Sequence, residues 1–129
     1  YHNYIYSQHT YEAENCNMME IHTLTYIDDR PGITATELSK LWHKSKSAIS
    51  QTIKKLMEAG YVEKRYSDHD KKTACLYVTD KGKRLSTVHK AYDVADITQT
   101  AAYLAGKCGE ADLDAFYRII EEYIKLLKE

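Results

Sequence analysis

The stretch SKSAISQTIKKLMEAGYVEKRYSDHDKKTACLYVTDKG, Ser45 to Gly82, decides the fold. Its first third places Ile49, Ile53, Leu56 and Met57 at i, i+4, i+7 and i+8. That spacing predicts a helix over residues 46–58 with one buried face. Ser45 is suited to cap its start, and Gly60 to close its end in a left-handed conformation. The outward face carries Ser45, Lys46, Ser47, Ser50, Gln51, Lys54 and Lys55. After Gly60 the period changes. Residues 61–66 and 73–78 are rich in β-formers, and Ser67-Asp68-His69-Asp70 between them is turn chemistry, so a β-hairpin follows the helix.

Upstream, Thr34 and Glu37 form a capping-box pair ahead of a helix over 35–42 that turns Leu38, Leu41 and Trp42 inward. His43-Lys44 is the tight turn between the two helices. Pro31, the sole proline, marks a loop at 28–32. Before it, residues 18–28 have helical spacing, with Asn15 or Asn17 as the cap. Tyr1–Glu14 carries a weak helical stripe of Tyr4, Ile5, Gln8, Tyr11 and Glu12. Downstream, Thr79 caps a long helix to about Ala105. Gly106–Gly109 reads as a break, and a last helix spans 112–127. Its apolar face (Leu113, Phe116, Ile120, Tyr123, Ile124, Leu127, widened by Ile119 and Leu126) is too broad for a lone surface helix.

The chain has 129 residues and a net charge of −1, one domain's length with nothing global to suggest nucleic acid. The distribution of charge is uneven. Residues 43–84 hold 11 Lys/Arg against 5 Asp/Glu, and the remainder 7 against 14. A basic block between acidic ends fits a polyanion-binding module framed by segments that do not touch the polyanion. Cys16, Cys75 and Cys108 are odd in number and lack C-x-x-C spacing, which predicts free thiols and a cytoplasmic protein. No apolar run has the length of a membrane span, and no signal peptide is visible. The chain opens on Tyr1 rather than Met, which predicts further residues before it. Catalysis is not indicated: there is no Gly-rich phosphate loop, nucleophile elbow or paired carboxylate set.

Two short helices, a tight turn and a hairpin make a winged helix-turn-helix, whose second helix enters the major groove. Ser47, Ser50 and Gln51 offer short neutral groups to base edges, and Gln pairs bidentately with adenine. Lys46, Lys54 and Lys55 would neutralise phosphates. On the hairpin, Lys64 and Arg65 lie on the incoming strand, with Lys71 and Lys72 at the tip, suited to the minor groove or its phosphates. Asp68 and Asp70 are expected to form Asx turns and ion pairs that aim Arg65 or a lysine. The rival reading is a winged-helix docking module that binds protein and no DNA; the basic recognition face separates the two.

These features resemble the MarR family of bacterial transcription regulators. The resemblance is carried by Glu37-Leu38, by the register Ser47, Ser50, Lys55-Leu56 and Gly60-Tyr61-Val62, and by Asp70-Lys71-Lys72 leading to Val78-Thr79-Asp80-Lys81-Gly82. It implies a mainly α fold: a winged helix-turn-helix with a two-stranded β wing (15–85) and a helical dimerisation region (1–14 and 86–129). It also implies a homodimer on a pseudo-palindromic double-stranded DNA operator, acting as a repressor relieved by a small ligand or an oxidant. Two departures stand out. The family's wing reads Asp-Arg-Arg where this chain has two lysines, which favours phosphate binding over reading groove shape and leaves Arg65 as the stronger anchor. Lys44 replaces an aliphatic turn residue, and Trp42 is expected to pack there.

For the effector, 12 tyrosines stand against one Phe. Tyr4, Tyr11, Tyr26, Tyr92 and Tyr103 are candidates to line a cavity for a phenolic or aromatic ligand; the other reading has them filling positions normally held by Leu and Phe. Cys16, near a predicted helix start, is the candidate for the peroxide sensing some members show. For zinc-type sensing the candidates are His2, His9, Cys16, Glu20, His22, His89 and Asp93. His89 and Asp93, at i and i+4, share a helix face and could both ligate one ion, but no two histidines have tight spacing, so no metal and no cofactor is assigned.

Overall fold

The computed structural model describes residues 16–128. The expected helices over Tyr1–Glu14, and Tyr4 and Tyr11 with them, lie outside the described residues. The described elements are α1 (Met18–Asp29), α2 (Ala35–Trp42), α3 (Lys46–Glu58), β1 (Val62–Tyr66), β2 (Ala74–Val78), α4 (Asp80–Cys108) and α5 (Glu110–Lys128). The architecture is the mainly helical winged helix-turn-helix that the residue pattern implies. The chain divides into two compact units, one ending at Lys90 and the other beginning at Ala91.

In the first unit each short helix starts on a side-chain cap. Asn17 accepts from the Glu20 N–H at 2.9 Å while the Glu20 carboxylate takes the Asn17 N–H at 3.0 Å. Thr34 and Glu37 repeat the arrangement at α2, and Ser45 Oγ accepts from the Ala48 N–H at α3. These reciprocal bonds satisfy amides that no intrahelical carbonyl reaches. Between α2 and α3 the chain turns at His43, the only non-glycine residue with positive φ among the described residues. The turn is held by Ser39, whose hydroxyl donates to the Lys44 carbonyl at 2.6 Å.

The core joins Ile21, Leu24 and Ile27 of α1, Leu38 of α2, Ile49, Ile53 and Leu56 of α3, and Val62 and Leu76 of the hairpin, with Leu85 of α4. β1 and β2 pair antiparallel, with Val62 opposite Val78 and Lys64 opposite Leu76. Ile33 adds a one-residue bridge to Leu76, so the hairpin is stitched to the α1–α2 loop as well as packed on it. The start of α4 presses against the root of the wing. A Cβ on Gly82 would lie 2.0 Å from the Tyr61 carbonyl oxygen, a separation only glycine permits. Thr79 fastens the same corner, donating to the Gly60 carbonyl and accepting from the Gly82 N–H.

Asp28 is the polar counterpart of this core. Its buried carboxylate accepts from Lys83 Nζ at 2.8 Å, Ser86 Oγ at 2.7 Å and Lys90 Nζ at 2.9 Å. It thereby ties the end of α1 to the first turns of α4. Burial pushes the carboxyl up, but the bonds from Lys83, Lys90 and Ser86 outweigh it and hold the pKa at about 2.

Three expectations are corrected. Leu41 and Met57 are 38% and 37% exposed; each lies at the edge of its helix's apolar stripe, and periodicity gives the side a residue faces, not its depth. Gly106 does not break α4, which continues to Cys108, since one glycine inside a helix costs only ~1 kcal/mol. The break is at Gly109 alone, in a left-handed conformation, and α5 begins two residues earlier than expected. In the second unit α5 has no buried residue: Phe116, Ile120, Tyr123, Ile124 and Leu127 are all exposed in the isolated protomer.

Candidate nucleic-acid interface

Helix α3 buries Ile49, Thr52, Ile53 and Leu56. This leaves Ser45, Lys46, Ser47, Ser50, Gln51, Lys54 and Lys55 exposed, the set the periodicity selects. Thr52 is buried with its hydroxyl returned to the Ala48 carbonyl, so it offers nothing outward. Lys54 and Lys55 are neighbours in sequence but not in role. Lys54 Nζ faces Glu58 at 3.8 Å, an i,i+4 pair open to solvent. Lys55 Nζ reaches back to Glu20 at 3.2 Å.

The wing and the helix share one groove of about 260 Å³, lined by Thr36, Ser50, Lys64, Lys72 and Thr73 among others. Ser50 and Lys72 are therefore brought to one concave surface. Thr36 of α2, Lys64 of β1 and Thr73 before β2 join them; Thr36 and Thr73 carry no charge that would single them out in sequence. At the wing tip Asp70 accepts from the Lys72 N–H at 2.9 Å and the Thr73 hydroxyl at 2.8 Å. These bonds, Thr73's first, lower its pKa. The Asx turn is as expected, the ion pair is not. Arg65 is aimed by neither Asp68 nor Asp70. Its Nε donates to Glu63 at 3.0 Å and its guanidinium lies 4.4 Å from the centre of the Tyr77 ring. Glu63, Arg65 and Tyr77 occupy one face because strand residues alternate. Lys71 and Lys72 are exposed and make no ion pair among the described residues.

The sensing candidates fare differently. Tyr26 is half-buried and meets Trp42 edge-on at 5.6 Å, which packs Trp42 against α1. Tyr92 and Tyr103 belong to the second unit, where Lys107 lies 5.8 Å above the Tyr103 ring. At Cys16 burial first and Glu20 second push the thiol's pKa up, with Lys81 opposing, a shift away from the thiolate that reactivity needs. Cys75 is half-buried and Cys108 exposed. His22 and His89, 67 residues apart in sequence, bring their rings to 4.9 Å, a proximity no local spacing announces. Among the described residues no helix is long and apolar enough to cross a membrane.

Comparison with known proteins agrees with this geometry. The MarR family model matches residues 17–73. An uncharacterized HTH-type transcriptional regulator of Bacillus subtilis (strain 168), YhjH, is 31% identical over 75 residues, 58% of this chain and 43% of that protein. HTH-type regulators from Clostridium symbiosum and Rhodobacter capsulatus match at 26% and 27% identity. The matched region spans about half the length of these relatives. Among solved structures, Streptococcus pneumoniae FabT in complex with DNA superposes with a TM-score of 0.80 at 19% identity, over 92% of this chain and 80% of that one. The reduced form of MarR from E. coli gives 0.72 at 18% identity, over 84% and 78%. Over residues 17–73 the chain is similar to the MarR family of transcription regulators, and it shares the fold of FabT and of MarR.

Proposed function

We propose that this protein is a sequence-specific DNA-binding regulator that represses transcription by occupying a pseudo-palindromic operator as a homodimer. The observation that carries the reading is the groove joining Ser50 on α3 to Lys72 on the wing. A duplex laid there meets uncharged hydrogen-bonding groups on one side and, on the other, a lysine that makes no ion pair among the described residues. Ser47, Ser50 and Gln51 read bases, Lys46 and Lys54 hold phosphates, and the tip lysines, Lys71 and Lys72, grip the flanking backbone. FabT, a protein of the same fold, has been crystallised with DNA. The homodimer is supported by the open apolar face of α5, which a second copy would cover.

Release by a small phenolic or aromatic ligand rests on the family resemblance and the tyrosine content, and a salicylate-like compound that lowers operator affinity is its test. The primary test is selection of genomic fragments by the purified protein at ~150 mM salt, where phosphate attraction alone is weak. The expected result is a palindrome with half-sites about one helical turn apart. Retention of no fragment, or of fragments without a shared site, would favour a docking module.

A further inference from the structure

Lys54 and Lys55 are indistinguishable by charge and propensity, yet their ammonium groups have different surroundings. The Lys54 pair is solvent-exposed on both sides, with side chains 76% and 65% accessible. Such a contact is worth little and yields readily to a phosphate. Lys55 instead meets a carboxylate that is 7% accessible. Glu20 is already engaged at the cap of α1: Oε2 takes the Asn17 N–H at 3.0 Å, and Oε1 takes Asn17 Nδ2 at 3.2 Å together with Lys55 Nζ. Among the described residues no other cation contacts it. A buried carboxylate needs a counter-charge, and Lys55 supplies it across 35 positions of sequence.

We propose that Lys55 is a positioning residue that makes no phosphate contact, and that Glu20 is its partner in setting DNA affinity. The pair ties the last turn of the recognition helix α3 to the capped start of α1. The hydrophobic stripe of Ile49, Ile53 and Leu56 fixes which face of α3 turns inward. Apolar contact is non-directional and restrains the direction of the helix axis less sharply than its roll, and a polar tie near one end adds that restraint. Ser47, Ser50 and Gln51 lie toward the other end, so a small tilt moves their hydroxyl and amide groups away from base edges. The inference rests on the DNA-binding reading above, with one part independent of it: the coupling of Glu20 to Lys55 in the free protein.

The test is a double-mutant cycle. Glu20→Gln removes the charge but keeps a residue that completes a capping box, and Lys55→Met keeps the apolar stem. Affinity for a selected operator duplex is measured against salt. Each single variant is expected to weaken binding about fivefold to tenfold, and the double variant by no more than either, because contacting partners are not additive. The log–log salt slope stays at the wild-type value in all three, and Lys55→Arg restores affinity. Lys54→Met, the control, lowers the slope by about 0.9 per lysine. A slope lowered by that amount in Lys55→Met, with Glu20→Gln silent, would make Lys55 a phosphate contact and overturn the assignment. So would tighter binding by Glu20→Gln, since Glu20 would then be competing with DNA for the lysine. If the wild-type protein binds no duplex, the DNA-binding reading fails on its own, and urea unfolding of the same four proteins decides the tie: non-additive midpoints uphold it and additive ones remove it.

Discussion

Helices α3 and α5 are built on the same pattern and end in opposite conditions. Each repeats isoleucine and leucine along one face with polar residues behind. In α3 the stripe of Ile49, Ile53 and Leu56 is at most 2% exposed, whereas in α5 Phe116, Ile120 and Ile124 are 55%, 36% and 44% exposed. The first stripe finds its cover within the chain, under α1, α2 and the hairpin. The second is open in the protomer. Most of a helix's stability in a protein comes from packing its apolar face, and an apolar stripe of that breadth is stabilised only when covered. The unit ending at Lys90 therefore holds its own core, while the apolar face of α5 is left exposed among the described residues.

The largest effect should come from attacking that second stripe. Ile120→Glu would place a charge twice in a two-fold interface, with a desolvation cost of several kcal/mol. Dimer dissociation should strengthen by about 100-fold or more, read as a shift to monomer mass in light scattering. The urea transition of the first unit should survive. If Ile120→Glu stays dimeric, the α5 face is not the interface and the comparison loses its explanation. Leu38→Ala is the converse. Leu38 is fully buried among α1, α3 and the wing, and its truncation should cost about 2–5 kcal/mol of unfolding free energy while the subunit mass is unchanged under native conditions.

Smaller changes probe the exposed side of α3. Gln51 is solvent-facing and forms no part of the core. Gln51→Ala should relax discrimination at one base pair by roughly 1–3 kcal/mol, measured on a panel of single-substituted operators, with stability retained. Asp28 sharpens the comparison from the polar side, because it gives the first unit a fastening that α5 lacks. Its carboxyl titrates near 2 when folded against an ordinary value near 3.8. The stabilisation is complete above about pH 4 and drains away as pH falls through 2. Asp28→Asn should lose on the order of 1–2 kcal/mol at neutral pH, a figure discounted because the lysine partners are half-exposed. The variant should show a flatter decline than wild type between pH 4 and 2 in urea titrations. An equal decline in both proteins would mean that the node is not what acid dismantles.

Much of this was legible in the residues, and what was legible was local. Caps at Thr34 and Ser45 are visible in the sequence and that of α1 is narrowed to Asn15 or Asn17, because cap and partner lie three positions apart. The hairpin follows from a change of period, and the outward face of α3 from the spacing of its inward one. What escaped depends on distant segments. Asp28 meets Lys83, Ser86 and Lys90 across 55 to 62 positions, and Glu20 meets Lys55 across 35. In sequence Lys55 and Lys83 are part of a basic block and Lys90 lies beyond its end. Depth is equally hidden: Leu41 and Met57 lie on the correct side of their helices and still reach solvent. Charge alone pairs Arg65 with the acidic turn, but Asp70 accepts instead from the Lys72 N–H and the Thr73 hydroxyl beside it. The carboxylate available to Arg65 is Glu63, two positions back on the same strand face.

Lys72 provides the smallest effect and the finest test of how the exposed surface works. Its backbone N–H is held by Asp70, so the wing tip is fixed while the side chain keeps its freedom. It lines the groove with Ser50, but its ammonium makes no ion pair among the described residues. A hydrated point charge on a flexible stem attracts phosphate without distinguishing sequence. Lys72→Ala should therefore weaken all duplexes alike and lower the salt slope by about 0.9 per lysine, leaving the ranking of operator variants unchanged. A changed ranking would mean that the lysine reads the groove itself. The wing would then join α3 as a source of specificity, and the family's arginines at this position would differ from these lysines in strength rather than in kind.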